Sequence, residues 1–281
     1  MSRHEHDAAQ LDETLARKYE ALRTTLLERG RVAIAFSAGV DSTLLLKVAH
    51  DVLGDNVLAV TAASPAVPQR EIDEAKTFCA EQGIPHVVVK THEFDIEGFD
   101  HNPPDRCYLC KKEILARIIE ATEARGFACV AEGSNTDDEG DYRPGSQAVR
   151  ERGVASPLRE AGLSKADVRA LARHLGLSVW DKPAFACLNS RFAYGDLITP
   201  ERLAQVDAAE EAVRALGFAH VRVRYEGRTA RIEVPPADIE RLASSELRAP
   251  LVEALKRIGF TYVSLDLQGY RTGSMNETLG Q

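Results

Sequence analysis

The stretch Phe36 to Ser42, FSAGVDS, closes the apolar run VAIAF that begins at Val32 and opens onto TLLLKVAH at Thr43 to His50. That order predicts a buried strand, a glycine-bearing turn and a helix. Such a turn leaves backbone N–H groups open at a helix N-terminus, where they and the positive end of the helix dipole bind an anion, most often a phosphate. Ser37, Ala38 and Gly39 are small enough for phosphate oxygens to reach the backbone, and the Ser42 hydroxyl adds a donor. A carboxylate at Asp41 would repel bare phosphate, so it either carries Mg2+ or caps the helix beside it. The spacing alone also fits an ordinary turn with a helix cap.

A length of 281 residues allows one large domain or two smaller ones, and 44% hydrophobic content supports a packed core in either case. No run reaches membrane-span length and no apolar secretory segment follows Met1, so a soluble cytoplasmic protein is expected. A net charge of −8 argues against general coating of nucleic acid and leaves room for local basic pockets. The five cysteines, Cys79, Cys107, Cys110, Cys129 and Cys187, do not form the pattern of a secreted disulfide framework.

Working outward from the turn, Leu11, Leu15, Tyr19, Leu22 and Leu26 make one helical stripe, expected to pack across the edge of the sheet. Val57 to Thr61, Pro85 to Lys90 and Phe127 to Ala131 read as further strands. Between them, Pro68 suits the first turn of a helix that buries Ile72, Ala75 and Phe78. Pro103 and Pro104 bar a helix in the irregular stretch that follows the third strand, whereas Leu109 to Glu123 carries helical periodicity, which leaves Cys107 and Cys110 at a loop-helix junction. Ser164 and Asp167 make a capping box, with Leu163 and Val168 as its hydrophobic staple. The repetition of strand and helix predicts a doubly wound parallel α/β domain over residues 1 to 188. Ligands of such a sheet bind beyond the carboxyl ends of its strands, so Ser64 and Arg70 are candidate nucleotide contacts.

Residues 189 to 281 read as a smaller α+β domain, its first helix announced by the cap and first-turn pair Thr199 and Pro200. In its first strand Val221 and Val223 face one side and Arg222 and Arg224 the other. Two cations side by side are unfavourable unless solvent or an anion intervenes, so the pair marks either a solvated face or a phosphate or carboxylate pocket.

The turn contains no GxxxxGK[ST] and no glycine triplet of dinucleotide-binding form. FSAGVDS resembles instead the PP-loop, SGGxDS, of the ATP pyrophosphatases, a Rossmann-like family that cleaves ATP to AMP and pyrophosphate while activating an oxygen of its substrate. Ala38 stands where that family usually has its first glycine. Its methyl group is tolerated only if the backbone needs neither positive φ nor the closest phosphate contact. EGSNTDD at Glu132 to Asp138, DYRPG at Asp141 to Gly145 and SPL at Ser156 to Leu158 are similar to the segment that closes over adenosine in these enzymes. The resemblance implies that Ser37, Gly39, Val40, Asp41 and Ser42 bind ATP together with Gly133 and Asn135. It also implies that Asp41 with Asp137 or Asp138 holds Mg2+.

The joining segment DKPAFACLNSRFAYGDLITPERL places Lys182 and Arg191 close in sequence to Cys187, and neighbouring cations activate a cysteine, although a lone cysteine is as readily structural. KPxxACLxSR, YGxxIT and the closing LKRIGFTYVSLDLQGYRTGSMN resemble the LarE family of ATP-dependent sulfur transferases, over nearly the whole chain. That family thiolates a pyridinium dicarboxylate mononucleotide on the route to the nickel-pincer nucleotide cofactor. In it, the residue matching Cys187 either gives up its own sulfur and becomes dehydroalanine or joins a CxxC pair in holding a 4Fe-4S cluster, and Cys107 and Cys110 are such a pair. Without the resemblance, CxxC fits zinc with His92 or His101 as a further ligand, a redox pair, or neither. Cys79 and Cys129 are expected in the core.

The resemblance further implies that Arg222 and Arg224 hold the substrate phosphate. It gives Ser190 and Arg191 the task of orienting the group beside Cys187, and makes Glu211 a metal or substrate carboxylate. A homo-hexamer is implied, with a carboxylase and a nickel-insertion protein as pathway partners and no nucleic acid. The chemistry implied is adenylation of a carboxylate followed by attack of sulfur. An adenylating PP-loop enzyme acting on a different acid is the alternative, and a non-catalytic nucleotide- or metal-binding protein a third reading.

Overall fold

The computed structural model of the protein describes residues 11–139, 144–183 and 186–271. Helix α1 (Glu13–Arg29) starts at Asp12, whose carboxylate accepts the Leu15 N–H at 2.8 Å. Then come β1 (Val32–Ala35), α2 (Val40–Leu53), β2 (Val57–Ala63), α3 (Gln69–Gln82), β3 (His86–Lys90), α4 (Arg106–Glu123) and β4 (Cys129–Ala131). Helices α5 (Pro144–Glu151), α6 (Pro157–Glu160) and α7 (Lys165–His174) follow. The four strands pair in parallel, in the order β3-β2-β1-β4.

Alternation along the strands fills two layers. Val32 and Ile34 of β1, with Val57 and Ala59 of β2, pack in one core with α1, α2 and α7. Ala33, Leu58 and Val60 point the other way, into a second core with Leu115 and Ile118 of α4 and Val149 of α5. A parallel sheet buried on both faces is the doubly wound arrangement expected. The capping box at Ser164 and Asp167 forms as predicted, over a buried Leu163 and Val168.

Two expectations change. Leu15, Leu22 and Leu26 of α1 do not cover the sheet edge; they pack on the helical layer, against α2, α6 and α7, because their stripe matches the apolar surface those helices leave. Helix α4 begins at Arg106, whose N–H donates to the Pro103 carbonyl at 2.9 Å, so the prolines precede the first turn and do not interrupt it. Cys107 and Cys110 therefore lie within the helix, where the absence of apolar periodicity in its first turn had hidden it.

A second group of elements comprises α8 (Pro200–Ala215), β5 (Arg222–Glu226), β6 (Thr229–Glu233), α9 (Ile239–Leu242), α10 (Ser245–Ile258) and β7 (Tyr262–Leu265). Thr199 caps α8, and its sheet runs β5-β6-β7, antiparallel then parallel. Val213, Phe218, Val223, Ile232 and Leu255 form its core.

The chain divides into two compact units, Met1–Ser64, Gln69–Glu93 and Cys107–Phe185 in one, Pro65–Pro68, Phe94–Arg106 and Ala186–Gln281 in the other. Two short segments of the first 188 residues thus belong with the second unit. Hydrogen bonds explain it: Asn102 Nδ2 donates to the Phe192 and Ala193 carbonyls at 3.0 and 2.7 Å, and the Leu188 N–H to the Ala66 carbonyl at 2.9 Å.

Beneath the β1 turn, Thr61 Oγ1 donates to the Phe36 carbonyl at 2.9 Å, so it accepts from His86 Nε2 at 2.8 Å and fixes the ring proton there. Burial, reinforced by Lys76, lowers the His86 pKa. The folded protein therefore takes up a second ring proton, at Nδ1, less readily than the unfolded chain. The associated stability is complete above the unfolded value of about 6.5 and is lost as the pH falls through it toward the folded one. Between about pH 7 and pH 5 the urea midpoint is expected to drop further for the wild type than for His86→Gln, which keeps a donor but does not titrate; parallel drops would refute the assignment.

Candidate functional site

Gly39, extended at φ −80°, is the N-cap of α2 and offers the first turn no side-chain oxygen. Ser42 Oγ donates to the Gly39 carbonyl at 3.2 Å, accepts the Ser37 N–H at 3.3 Å and lies 3.1 Å from Ser37 Oγ. Val40 is buried at the helix start. Ala38 has φ +54° and is buried. The condition set by the sequence, that no positive φ is needed there, is overturned: the backbone takes the left-handed form with a Cβ in place, at a cost of about 1 kcal/mol relative to glycine.

The loop after β4 lies against this turn. A Cβ on Gly133 would stand 3.0 Å from the Ser42 nitrogen and 3.1 Å from Asp41 Cβ, so any other residue would push loop and turn apart by a few tenths of an ångström. Asp41 does not cap the helix; its carboxylate accepts from Asn135 Nδ2 at 3.1 Å and pairs with Lys165. Asn135 Oδ1 accepts the Asp137 N–H at 3.0 Å, Asp138 accepts the Asn135 N–H at 3.0 Å, and Asp137 accepts the Lys165 N–H at 3.0 Å. The structure thus brings Ser37, Gly39, Asp41, Ser42, Gly133, Asn135, Asp137 and Asp138 together. Asp141 to Arg143, within DYRPG, lie outside the described residues.

Among the described residues, no group of three or more His, Cys, Asp or Glu side chains is set to hold a metal ion. The carboxylates around Asp41 have the oxygen chemistry of a Mg2+ site, but Lys165 already neutralises Asp41. That set does not fit a resident ion and suits one brought by substrate phosphates. Ser64 is buried and donates to the buried Glu93. Arg70 lies along Glu71 at 3.6 Å.

Glu132 was not singled out by the sequence. Its carboxylate accepts from the Ser134 N–H at 3.1 Å and Ser156 Oγ at 2.8 Å, and Lys111 approaches at 3.5 Å. Burial works to raise its pKa, but Lys111 and the serine hydrogen bonds outweigh it, and the carboxyl stays below its usual range. It joins the EGSN loop, the SPL segment and α4. An acidic residue closing an apolar strand was the available signal.

Cys107 is exposed and Cys110 partly buried, one turn apart on α4 in the first unit; Cys187, partly buried, belongs to the second. The zinc candidates are also divided: His92 is in the first unit, and His101, exposed and bonded to Asp100, in the second. Cys79 and Cys129 pack with the core, where burial pushes the Cys79 thiol up to about 12 and raises that of Cys129.

Within the second unit, the Arg191 and Glu210 side chains are fully buried as a pair, Nε to Oε1 at 2.8 Å and Nη2 to Oε2 at 3.1 Å. Arg191 Nη1 donates to the Ala186 and Cys187 carbonyls at 2.7 and 3.1 Å, and the Ser190 hydroxyl donates to the Cys187 carbonyl at 2.9 Å. Ser190 and Arg191 therefore hold the backbone at Cys187. Glu210 also accepts from Arg214 at 2.9 Å and the Val223 N–H at 3.1 Å; burial would raise its pKa, and Arg191, Arg214 and Arg222 lower it overall. Glu211, by contrast, is largely exposed beside Arg214. The helical phase of Leu203, Val206 and Val213 was the signal that selects Glu210 over its neighbour.

Arg224 meets Glu233 through two hydrogen bonds of 2.9 and 2.7 Å and donates to the Ser190 carbonyl at 2.6 Å, so a carboxylate answers this member of the arginine pair. Arg222 lies over the Tyr270 ring, 5.2 Å from its centroid. Burial and the like charge of Arg191 lower its pKa, against the pull of Glu210. A cavity of about 330 Å3 in this unit is lined by Ser190, Arg191, Arg224, Arg231 and the stacked rings of Phe192 and Tyr225.

A parallel sheet whose first strand passes through a serine-bearing turn into an uncapped helix, with a glycine loop from β4 laid on it, is the nucleotide end of a PP-loop α/β protein. No family model matches the chain. It is 46% identical over 265 residues to an uncharacterized protein of Synechocystis sp., covering 94% of this chain and 99% of that one. It is 44% identical over 270 residues to the pyridinium-3,5-bisthiocarboxylic acid mononucleotide synthase of Lactiplantibacillus plantarum, covering 95% and 96%. A more distant match is the tRNA-specific 2-thiouridylase MnmA of Rhizobium leguminosarum, 28% identical over 217 residues, 61% of this chain and 54% of that one. The chain belongs to the LarE family of pyridinium-3,5-bisthiocarboxylic acid mononucleotide synthases, within the PP-loop superfamily.

Gly133→Ala is expected to lose about 1 to 3 kcal/mol by denaturant unfolding, because the new methyl meets backbone, and to weaken ATP binding measured by calorimetry. Unchanged values would mean that the loop does not press on α2. Glu210→Ala leaves a buried guanidinium without its partner and should cost about 3 to 5 kcal/mol, whereas Glu211→Ala should stay within about 0.5 kcal/mol.

Proposed function

We propose that this protein is an ATP-dependent sulfur transferase acting on pyridinium-3,5-biscarboxylic acid mononucleotide. It adenylates the carboxylates and converts them to thiocarboxylates, releasing AMP and pyrophosphate, in the making of the nickel-pincer nucleotide cofactor. The observation that supports this best is 44% identity to the named synthase over 95% of the chain.

A carboxylate oxygen is replaced only if it first becomes part of a leaving group. Its attack on the α-phosphorus of ATP expels pyrophosphate and leaves an acyl-adenylate; a sulfur nucleophile then adds to the acyl carbon and AMP departs. The open N–H groups of α2, with the Ser37 and Ser42 hydroxyls, take up charge on the departing pyrophosphate. Mg2+ carried with ATP would lie beside Asp41, Asp137 and Asp138 and would neutralise part of that charge. Gly133 and Asn135 close the nucleotide loop, and Ser64 and Arg70 belong to the same end of the sheet. Arg222 and Arg224 receive the substrate phosphate, and an anion at Arg222 relieves the charge that burial and Arg191 make costly.

Cys107, Cys110 and Cys187 handle the sulfur. The family resemblance assigns them to a 4Fe-4S cluster, but the described residues present no ready three-ligand group, and the adenylation step does not pass through one. A hexameric assembly and a carboxylase and a nickel-insertion protein as pathway partners complete the proposal.

Protein supplied with ATP, Mg2+ and the dicarboxylate mononucleotide is expected to yield AMP and pyrophosphate, and Asp41→Ala to suppress that yield while remaining folded. ADP and phosphate as the sole products would sink the mechanism. Anaerobic iron content and intact mass across one turnover identify the sulfur donor. Iron that disappears in Cys107→Ser, Cys110→Ser and Cys187→Ser supports the cluster; iron-free transfer, with Cys187 becoming dehydroalanine, replaces it.

A further inference from the structure

Lys182 is anchored through its backbone before its side chain reaches any partner. Its N–H donates to the Val179 carbonyl at 3.0 Å, and its carbonyl accepts from Arg169 Nη2 of α7 at 2.9 Å. Arg169 Nη1 also holds the Trp180 carbonyl at 2.7 Å. From this fixed base the ammonium reaches three oxygens: the Ala38 carbonyl at 3.2 Å, Glu71 at 2.7 Å and Glu74 at 2.5 Å. An ammonium has three donors, so this set satisfies it without a phosphate. The pair is also sheltered, with the lysine and Glu71 side chains 18% and 7% exposed.

The residue whose carbonyl it holds is the strained one. Ala38 keeps φ at +54°, where a Cβ is unfavourable, and the orientation of its carbonyl sets the peptide plane leading to Gly39 and the first turn of α2. Something outside the turn must hold that plane, because the residue itself prefers another conformation. Glycine would need no such hold.

We propose that Lys182 is a positioning residue for the nucleotide turn, its ammonium keeping Ala38 in the left-handed conformation that leaves the following N–H groups facing the phosphate. This rests on the reading of the turn as an ATP site. It gives the lysine of KPxxACLxSR a task at the nucleotide, whereas sequence proximity pointed to the thiol.

Wild type, Lys182→Met, Ala38→Gly and the double variant form a cycle, read by ATP affinity and by hydrogen exchange of the amides from Ser37 to Thr43 without nucleotide. Lys182→Met is expected to weaken ATP binding and speed exchange by about tenfold each, the scale of a left-handed non-glycine residue. In the Ala38→Gly background the same change should cost less than about threefold. Lys182→Arg, which keeps the charge and donors, should recover most of the loss. Equal losses in both backgrounds would overturn the proposal, since freeing Glu71 and Glu74 has no dependence on residue 38; unchanged exchange in Lys182→Met would overturn it as well. If wild type does not bind ATP, the functional reading fails, and the nucleotide-free exchange cycle still decides the role of Lys182. Should Lys182→Met fail to fold, Lys182→Gln takes its place in the cycle.

Discussion

A helix that binds an anion at its N-terminus has to keep the N–H groups of its first turn clear of side-chain caps, and the packing around α2 follows from that requirement. Gly39 stands where Ser, Thr or Asp would cap. Asp41 is turned away to Asn135 and Lys165, and Ser42 bonds within the turn. Gly133 brings the β4 loop close enough for its backbone to wall the site. Left-handed Ala38 is the residual strain of this arrangement, and the Lys182 ammonium meets its carbonyl.

Charge inside each unit is handled by local pairing. Glu132 joins a strand end, a loop and a helix through Ser134, Ser156 and Lys111; Arg191 and Glu210 join the Cys187 segment to α8. Buried pairs of this kind return little net stability, because desolvation consumes most of the attraction, but loss of one partner is severe. They fix where loops lie, which apolar contacts alone leave loosely defined. The arginine pair on β5 shows the same economy: Glu233 takes Arg224, and Arg222 is the one whose charge burial disfavours.

Much of the fold was legible because its signals are local. Alternation in VAIAF and Val57 to Thr61, the capping box at Ser164 and the proline after Thr199 each depend on a few neighbouring residues, and each element formed within a few positions of its reading. The nucleotide turn was legible for the same reason, since a strand, small residues and a helix within twenty positions are a contiguous pattern. Residue type alone does not tell Glu210 from Glu211: the helical phase buries Glu210 and leaves Glu211 exposed beside Arg214.

The sequence by itself determined the parallel sheet with its strand–turn–helix opening and the smaller α+β sheet that follows, because periodicity, caps and motif spacing are properties of short stretches. Only the tertiary structure decided that Ala38 is left-handed, that the Lys182 ammonium meets the Ala38 carbonyl, that Arg191 is buried against Glu210, and that residues 65–68 and 94–106 join the second unit. Those outcomes depend on which oxygen lies near a given donor after segments far apart in the chain have packed. The energy of such an encounter is set by burial and distance, and neither is written in the order of residues.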